Sequence, residues 1–242
     1  MINLFGRFAP LPTPYTDDGS TVSEVRLARL VRHLNEIGVD GFVVGSETGE
    51  FWVCSMSERK QLTEVAVREA KGKPVIVNVT ALASAGALDL AQHAARHGAR
   101  ACVICPPNYA YFSADEVLQH IRLVAHNCEI PLIISGHTEA LSVPMSDMVN
   151  EHSRCFVGEA VRGGWFEKPT SDEFSVDDLV VSPQFIFKSA LSPTFRELAQ
   201  EVGSARLVKA GVEEIGHDCG PLRSPYRWPS KANLERLKAL IV

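Results

Sequence analysis

The 242-residue chain is 45% apolar and 22% charged, a balance suited to one soluble α/β domain or two small ones, and either arrangement can bury a sizeable core. Its 24 basic and 29 acidic residues give a net charge of −5 with no Lys/Arg block, which disfavours nucleic-acid binding. No apolar run approaches the ~20 residues of a membrane-spanning helix, and MINLFGRFAP lacks the basic-then-apolar order of a signal peptide, so a cytoplasmic protein is expected.

Taken in order, Phe8 to Pro14 is extended and broken by prolines, and Tyr15 to Gly19 closes it as a turn. Ser23 to Ile37 repeats Val25, Leu27, Leu30, Val31, Leu34 and Ile37 at helical spacing, and Gly38 ends that helix. Gly41 to Val44 reads as a strand buried on both faces, which empties into the polar turn Gly45 to Glu50. Such a turn either offers N–H groups and hydroxyls to an anionic ligand or is an ordinary strand-to-helix connection; both readings stay open. Ser57 is expected to open the next helix, through Ala70.

The unit repeats: strand Pro74–Val79, helix Ala85–His97, strand Ala101–Cys105, helix Ala114–Ala125, strand Pro131–Ser135. Unpunctuated apolar strands alternating with helices imply a parallel sheet covered on both faces, either doubly wound or closed as a (β/α)₈ barrel. No G-x-G-x-x-G opens a helix, which counts against a dinucleotide fold. Beyond Ser135 the pattern weakens. A helix is expected at Met145–Glu151, a strand at Cys155–Ala160, a loop with at most one short strand over Arg162–Ser182, and a strand at Gln184–Ser189. Helices are expected at Pro193–Val202, Leu207–Ile215 and Asn233–Ile241, with Gly220–Pro229 extended between the last two.

The six cysteines are scattered, and Cys102 and Cys105 lie along one strand, so they read as reduced core thiols. No group shows metal spacing; His93 and His97 stand at i and i+4 but lack a third ligand. His137, just past the fifth strand, is a candidate base or a surface loop residue. Glu167 and Lys168 read as solvated loop charge, and Arg223 and Arg227 as structural or assembly residues.

Four stretches in order, FAPLPTPYTDDGS, GSETGEFWVCSMSERKQL, PPNYAYFSADEVLQHI and LVKAGVEEIGHDCGPLRSPYRWPS, resemble the dihydrodipicolinate synthase and N-acetylneuraminate lyase superfamily. The resemblance implies an α/β (β/α)₈ TIM barrel and a class I aldolase in which a desolvated lysine on strand six forms an imine with pyruvate or another small 2-oxo acid. No cofactor and no metal are expected, and a homo-oligomer is. The resemblance places substrate on Ser46, Glu47 and Thr48, and a proton-relay tyrosine on Tyr109, linked through Thr48.

The departures are as informative. Ser135 replaces the expected strand-five tyrosine, Glu47 brings a charge that repels a carboxylate unless it points away or is protonated, and Gly158 stands where the imine lysine belongs. Two alignments follow. In the first, Cys155–Ala160 is strand six and Gln184–Ser189 resembles strand eight; in the second, Gln184–Ser189 is strand six and Lys188 forms the imine. The expected barrel, one domain over residues 1–242, is regular to 160, irregular over 161–206 and helical in its tail, 207–242. Lyase chemistry with Lys188, Tyr109 and Thr48 as catalytic residues, and Ser46, Glu47, Ser135 and His137 beside the substrate, is the leading reading. The alternatives are a non-catalytic small-acid binder or assembly protein, and an imine-free enzyme using Glu47 or His137 as base. Missing units would expose apolar surface at about 25 cal/mol per Å², so a partner copy is expected to cover it.

Overall fold

A strand buried on both faces must send alternate side chains to two different cores, and the early strands do so. The computed structural model describes residues 4–107, 109–135, 155–157, 159–161, 165–167, 179–187 and 192–241. Strands β1 (Gly6–Pro10), β2 (Gly41–Val44), β3 (Val75–Asn78), β4 (Ala101–Ile104) and β5 (Leu132–Ile134) alternate with helices α1 (Glu24–Glu36), α2 (Met56–Glu69), α3 (Ser84–Arg96) and α4 (Ala114–Asn127). Phe42, Val44, Val75, Val77, Cys102, Ile104, Leu132 and Ile134 face the helices, while Phe8, Val43, Ile76, Val103 and Ile133 form a separate cluster on the opposite face. That second cluster is the barrel interior. Gly41 is required there, because a Cβ would lie 2.3 Å from the Phe8 ring.

All neighbours in the main sheet are parallel, in the order β6-β5-β4-β3-β2-β1-β9. Strand β6 (Cys155–Val157) pairs with β5, and β9 (Leu179–Val181) pairs with β1. A late strand returning beside the first is barrel order, so the expected α/β barrel, irregular in its last units, is found. The irregularity is specific: β7 (Glu159–Val161) and β8 (Trp165–Glu167), next in the chain after β6, pair with each other antiparallel in a separate two-stranded sheet.

This topology decides between the two alignments. Strand six is Cys155–Val157, and the strand expected at Gln184–Ser189 is not found over its described residues, 184–187, which belong to a 3-10 turn and its C-cap. The eighth-strand position falls to Leu179–Val181, inside the segment read as a loop with at most one short strand, which also holds Trp165–Glu167. Ser182 then caps a 3-10 turn, Pro183–Ile186, its hydroxyl accepting from Gln184 N at 3.1 Å. Pro183 cannot donate to a ladder, which ends the strand before it. A second correction concerns α2, where Ser55 rather than Ser57 is the N-cap, in a capping box with Glu58. The remaining helices are α5 (Pro193–Val202), α6 (Ser204–Glu214) and α7 (Lys231–Ile241), packed on one another through Phe195, Leu198, Leu207 and Leu237. Lys188, His137, Gly158 and the helix expected at Met145–Glu151 lie outside the described residues.

Candidate active site

The turn after β2 is built to hold one shape. Gly45 takes a left-handed φ of 67° and its carbonyl accepts from Asn78 Nδ2 at 2.6 Å. Gly49 N donates to Ser46 O and Glu50 N to Glu47 O, both at 3.0 Å. Thr13 Oγ1 donates to the carbonyl of Gly49, and a Cβ on Gly49 would come within 2.9 Å of Leu11 O, so the loop after β1 closes on the turn. Within it Thr48 is fully buried, Ser46 half-buried and Glu47 exposed. The hydroxyls of Ser46 and Thr48 are both buried with no hydrogen-bond partner among the described residues. Buried donors left in this way are costly unless something else satisfies them.

Beside the turn lies a polar floor made by the ends of β3, β4 and β5. Asn78 Oδ1 accepts from Thr80 Oγ1 at 2.6 Å, and Thr80 Oγ1 accepts from Cys105 N at 2.9 Å. Arg59, reaching up from α2, donates to Asn78 O and Thr80 O, both at 2.7 Å; burial pushes its guanidinium down to about 10, still charged at neutral pH. The Cys105 thiol is pushed up by burial and by the negative charge of Glu47, against hydrogen bonds with Thr80 and Ser135. Glu47, Cys105 and Ser135 therefore share one neighbourhood over the strand ends. Tyr109 does not join them: it is half-exposed, and its hydroxyl donates to Leu82 O rather than meeting Thr48. Asn78, Thr80 and Cys105 escaped sequence reasoning, although a polar residue closing the apolar run VIVN was a usable signal.

The tail fixes the turn from its other side. Glu50 holds a left-handed φ of 53° with its side chain fully buried, 2.6 Å from Lys209 Nζ on α6, which is also fully buried. Lys209 Nζ further donates to Pro221 O at 2.9 Å and sits 4.3 Å from the centre of the Tyr15 ring. Burial pushes Glu50 up and Lys209 down, and each is the chief compensation for the other. Next to this pair, Arg223 lies 4.1 Å over the same Tyr15 ring and forks onto Glu58 at 2.6 and 2.9 Å. It also donates to Gly19 O, Ser20 O and Val53 O. Burial alone would raise Glu58, but the bonds from Arg223 and from Ser55 bring it below the usual carboxylate range. Arg223 is thus the structural residue that the sequence suggested, whereas Lys209 was visible only as a lone charge in an apolar helix.

A cavity of about 440 Å³ is lined by Thr16, Asp17, Arg26, Arg29, His217 and Asp218 among others, and shares no residue with the turn. Among the described residues the group with metal-ligand geometry is Glu64, His93 and His97, on α2 and α3. No helix among them is long and apolar enough to cross a membrane.

Three comparisons bear on this geometry. An N-acetylneuraminate lyase from Escherichia coli (strain SMS-3-5 / SECEC) is 35% identical over 151 residues, covering 61% of this chain and 50% of the lyase; the chain thus spans about half the length of the curated relatives it matches. The fold is shared with dihydrodipicolinate synthase from Agrobacterium tumefaciens str. C58 (TM-score 0.80, 17% identity, 98% of this chain and 97% of that one). It is shared equally with YagE, a prophage protein of the dihydrodipicolinic acid synthase family from E. coli K12 solved with pyruvate (TM-score 0.81, 17% identity, 98% and 97%). With the profile of the Dihydrodipicolinate synthetase family matching residues 3–140, across the turn, the polar floor and β5, the chain belongs to that family.

Proposed function

We propose that this chain binds a small 2-oxo acid of the pyruvate class over the carboxyl ends of β2 to β5 and acts on it as a lyase of the aldolase kind. One observation supports this above the rest: the Thr48 hydroxyl is buried, has no hydrogen-bond partner among the described residues and is held in a turn clamped on both sides. A carboxylate accepting from it would relieve a burial cost of about 1–3 kcal/mol. Glu47 is exposed, so solvent screens its charge. Relatives named for N-acetylneuraminate lyase, and YagE solved with pyruvate, point to the same substrate class. The chemistry would begin with a neutral lysine amine attacking the C2 carbonyl, with loss of water, to give an iminium that accepts the electron pair of the breaking C–C bond.

Strand six supplies no such amine, and Lys188 is the candidate to replace it. It directly follows Phe187 in the sequence, and the 3-10 turn Pro183–Ile186 before it leaves the carboxyl end of β9, the end of the sheet that bears the turn. Incubation with pyruvate and borohydride followed by intact-mass and peptide analysis is expected to show one reduced adduct per chain, on Lys188, and none in Lys188→Ala. A second reading, small-acid binding without an imine, is favoured by Gly158 following β6; it predicts no adduct while pyruvate still binds. We further propose that the protein works in the cytoplasm as a homo-oligomer.

A further inference from the structure

We propose that Glu64, His93 and His97 form a binding site for a single borderline divalent transition-metal ion, of which zinc is the type, joining α2 to α3 on the outer layer of the barrel. His93 lies in the last turn of α3 and His97, four positions on, is its C-cap residue, and the two rings lie side by side. Their centroids are 4.2 Å apart and 29° from coplanar, and both present Nε2 to one atom of the neighbouring helix. Glu64 Oε1 lies 3.2 Å from His93 Nε2 and 3.9 Å from His97 Nε2, and all three ligand atoms fall within 4.8 Å of one another. Metal–ligand arms of about 2.0–2.1 Å in a tetrahedron set neighbouring donors roughly 3.4 Å apart. The two distances to Glu64 bracket that value.

A second observation points to a ligand. His93 is 8% exposed, and its Nε2 is buried without a hydrogen-bond partner, although a carboxylate oxygen stands beside it. A nitrogen in that condition either keeps a proton for Glu64 or turns its lone pair to a cation. The nearest competing cation, Lys60 on α2, is held by Asp89 on α3 at 2.7 Å and does not enter the triad. Glu64 and His97 are close to half-exposed, which leaves water access to the remaining coordination position. Two imidazoles and a carboxylate suit zinc, cobalt, nickel or copper, and are a poor set for magnesium or calcium. The ion would act as a staple between two helices and touch none of the strand-end residues.

The test uses the full chain after chelator treatment, titrated with zinc chloride alone by calorimetry and with cobalt chloride by visible absorption. One zinc per chain is expected, with a rise in the melting temperature and a cobalt spectrum of a nitrogen and oxygen set without thiolate. His97→Ala and Glu64→Gln, both at half-exposed positions, should fold normally and weaken zinc binding by at least about tenfold, abolishing the thermal shift. Absence of stoichiometric binding at millimolar metal would overturn the proposal. So would binding that both variants leave unchanged, or a thiolate-to-cobalt charge-transfer band assigning the metal to a cysteine.

Discussion

Lys209→Ala is expected to lower the unfolding free energy by about 3–5 kcal/mol, because it leaves the Glu50 carboxylate buried without its counter-ion. Both side chains are fully buried and 2.6 Å apart, and a water entering the vacated space would not supply the missing positive charge. The double variant Glu50→Gln with Lys209→Met should recover most of the loss, since matched removal deletes the desolvation cost with the attraction. Urea unfolding of the three variants measures this directly. A loss below about 1 kcal/mol for Lys209→Ala would mean that the pair is not held as described. The effect should also reach the turn, because Glu50 keeps a left-handed backbone only while its side chain is anchored.

Arg223→Ala is the second large effect, an expected loss of about 2–4 kcal/mol at neutral pH. The guanidinium satisfies three carbonyls and both oxygens of Glu58 with only 17% of its side chain exposed. Lysine cannot reproduce the fork, so Arg223→Lys should restore less than half of the loss. The pH dependence has a definite sign. Glu58 titrates lower in the folded protein than in the unfolded chain, so its contribution is present above the unfolded carboxylate value near ~4.3 and fades as pH falls through the folded one. The Arg223→Ala deficit should therefore shrink on acidification, and unfolding measured from pH 7 down to pH ~3 should show it. A deficit that is constant over that range would remove Glu58 from the explanation. Because Arg223 and Lys209 share the Tyr15 ring, their substitutions should couple rather than add.

The first half of the fold could be read from sequence because its strands are uninterrupted apolar runs between helices with clear caps. Gly41–Val44 predicts its own burial on both faces, and GSETGE predicts the turn. The second half resisted for equally physical reasons. Strands of three residues, such as Leu179–Val181, carry no period, and QFIF looks like a strand unless Pro183 and the capping hydroxyl of Ser182 are weighed ahead of hydrophobicity. The site was legible where its residues are consecutive, as in Ser46 to Glu50. It was illegible where contact joins distant elements: Lys209 with Glu50, Cys105 with Ser135, and Glu64 with the two histidines that lacked a third ligand in the linear chain.

The central claim is that the clamped turn after β2 still receives a 2-oxo acid. Titrating the ¹⁵N-labelled protein with pyruvate and following its backbone amides tests that claim most directly. Shifts centred on Ser46 to Gly49, Cys105 and Ser135 are expected, and they should be lost in Thr48→Val. Amides that do not move with millimolar pyruvate, or shifts confined to the cavity beside Arg26 and His217, would contradict it.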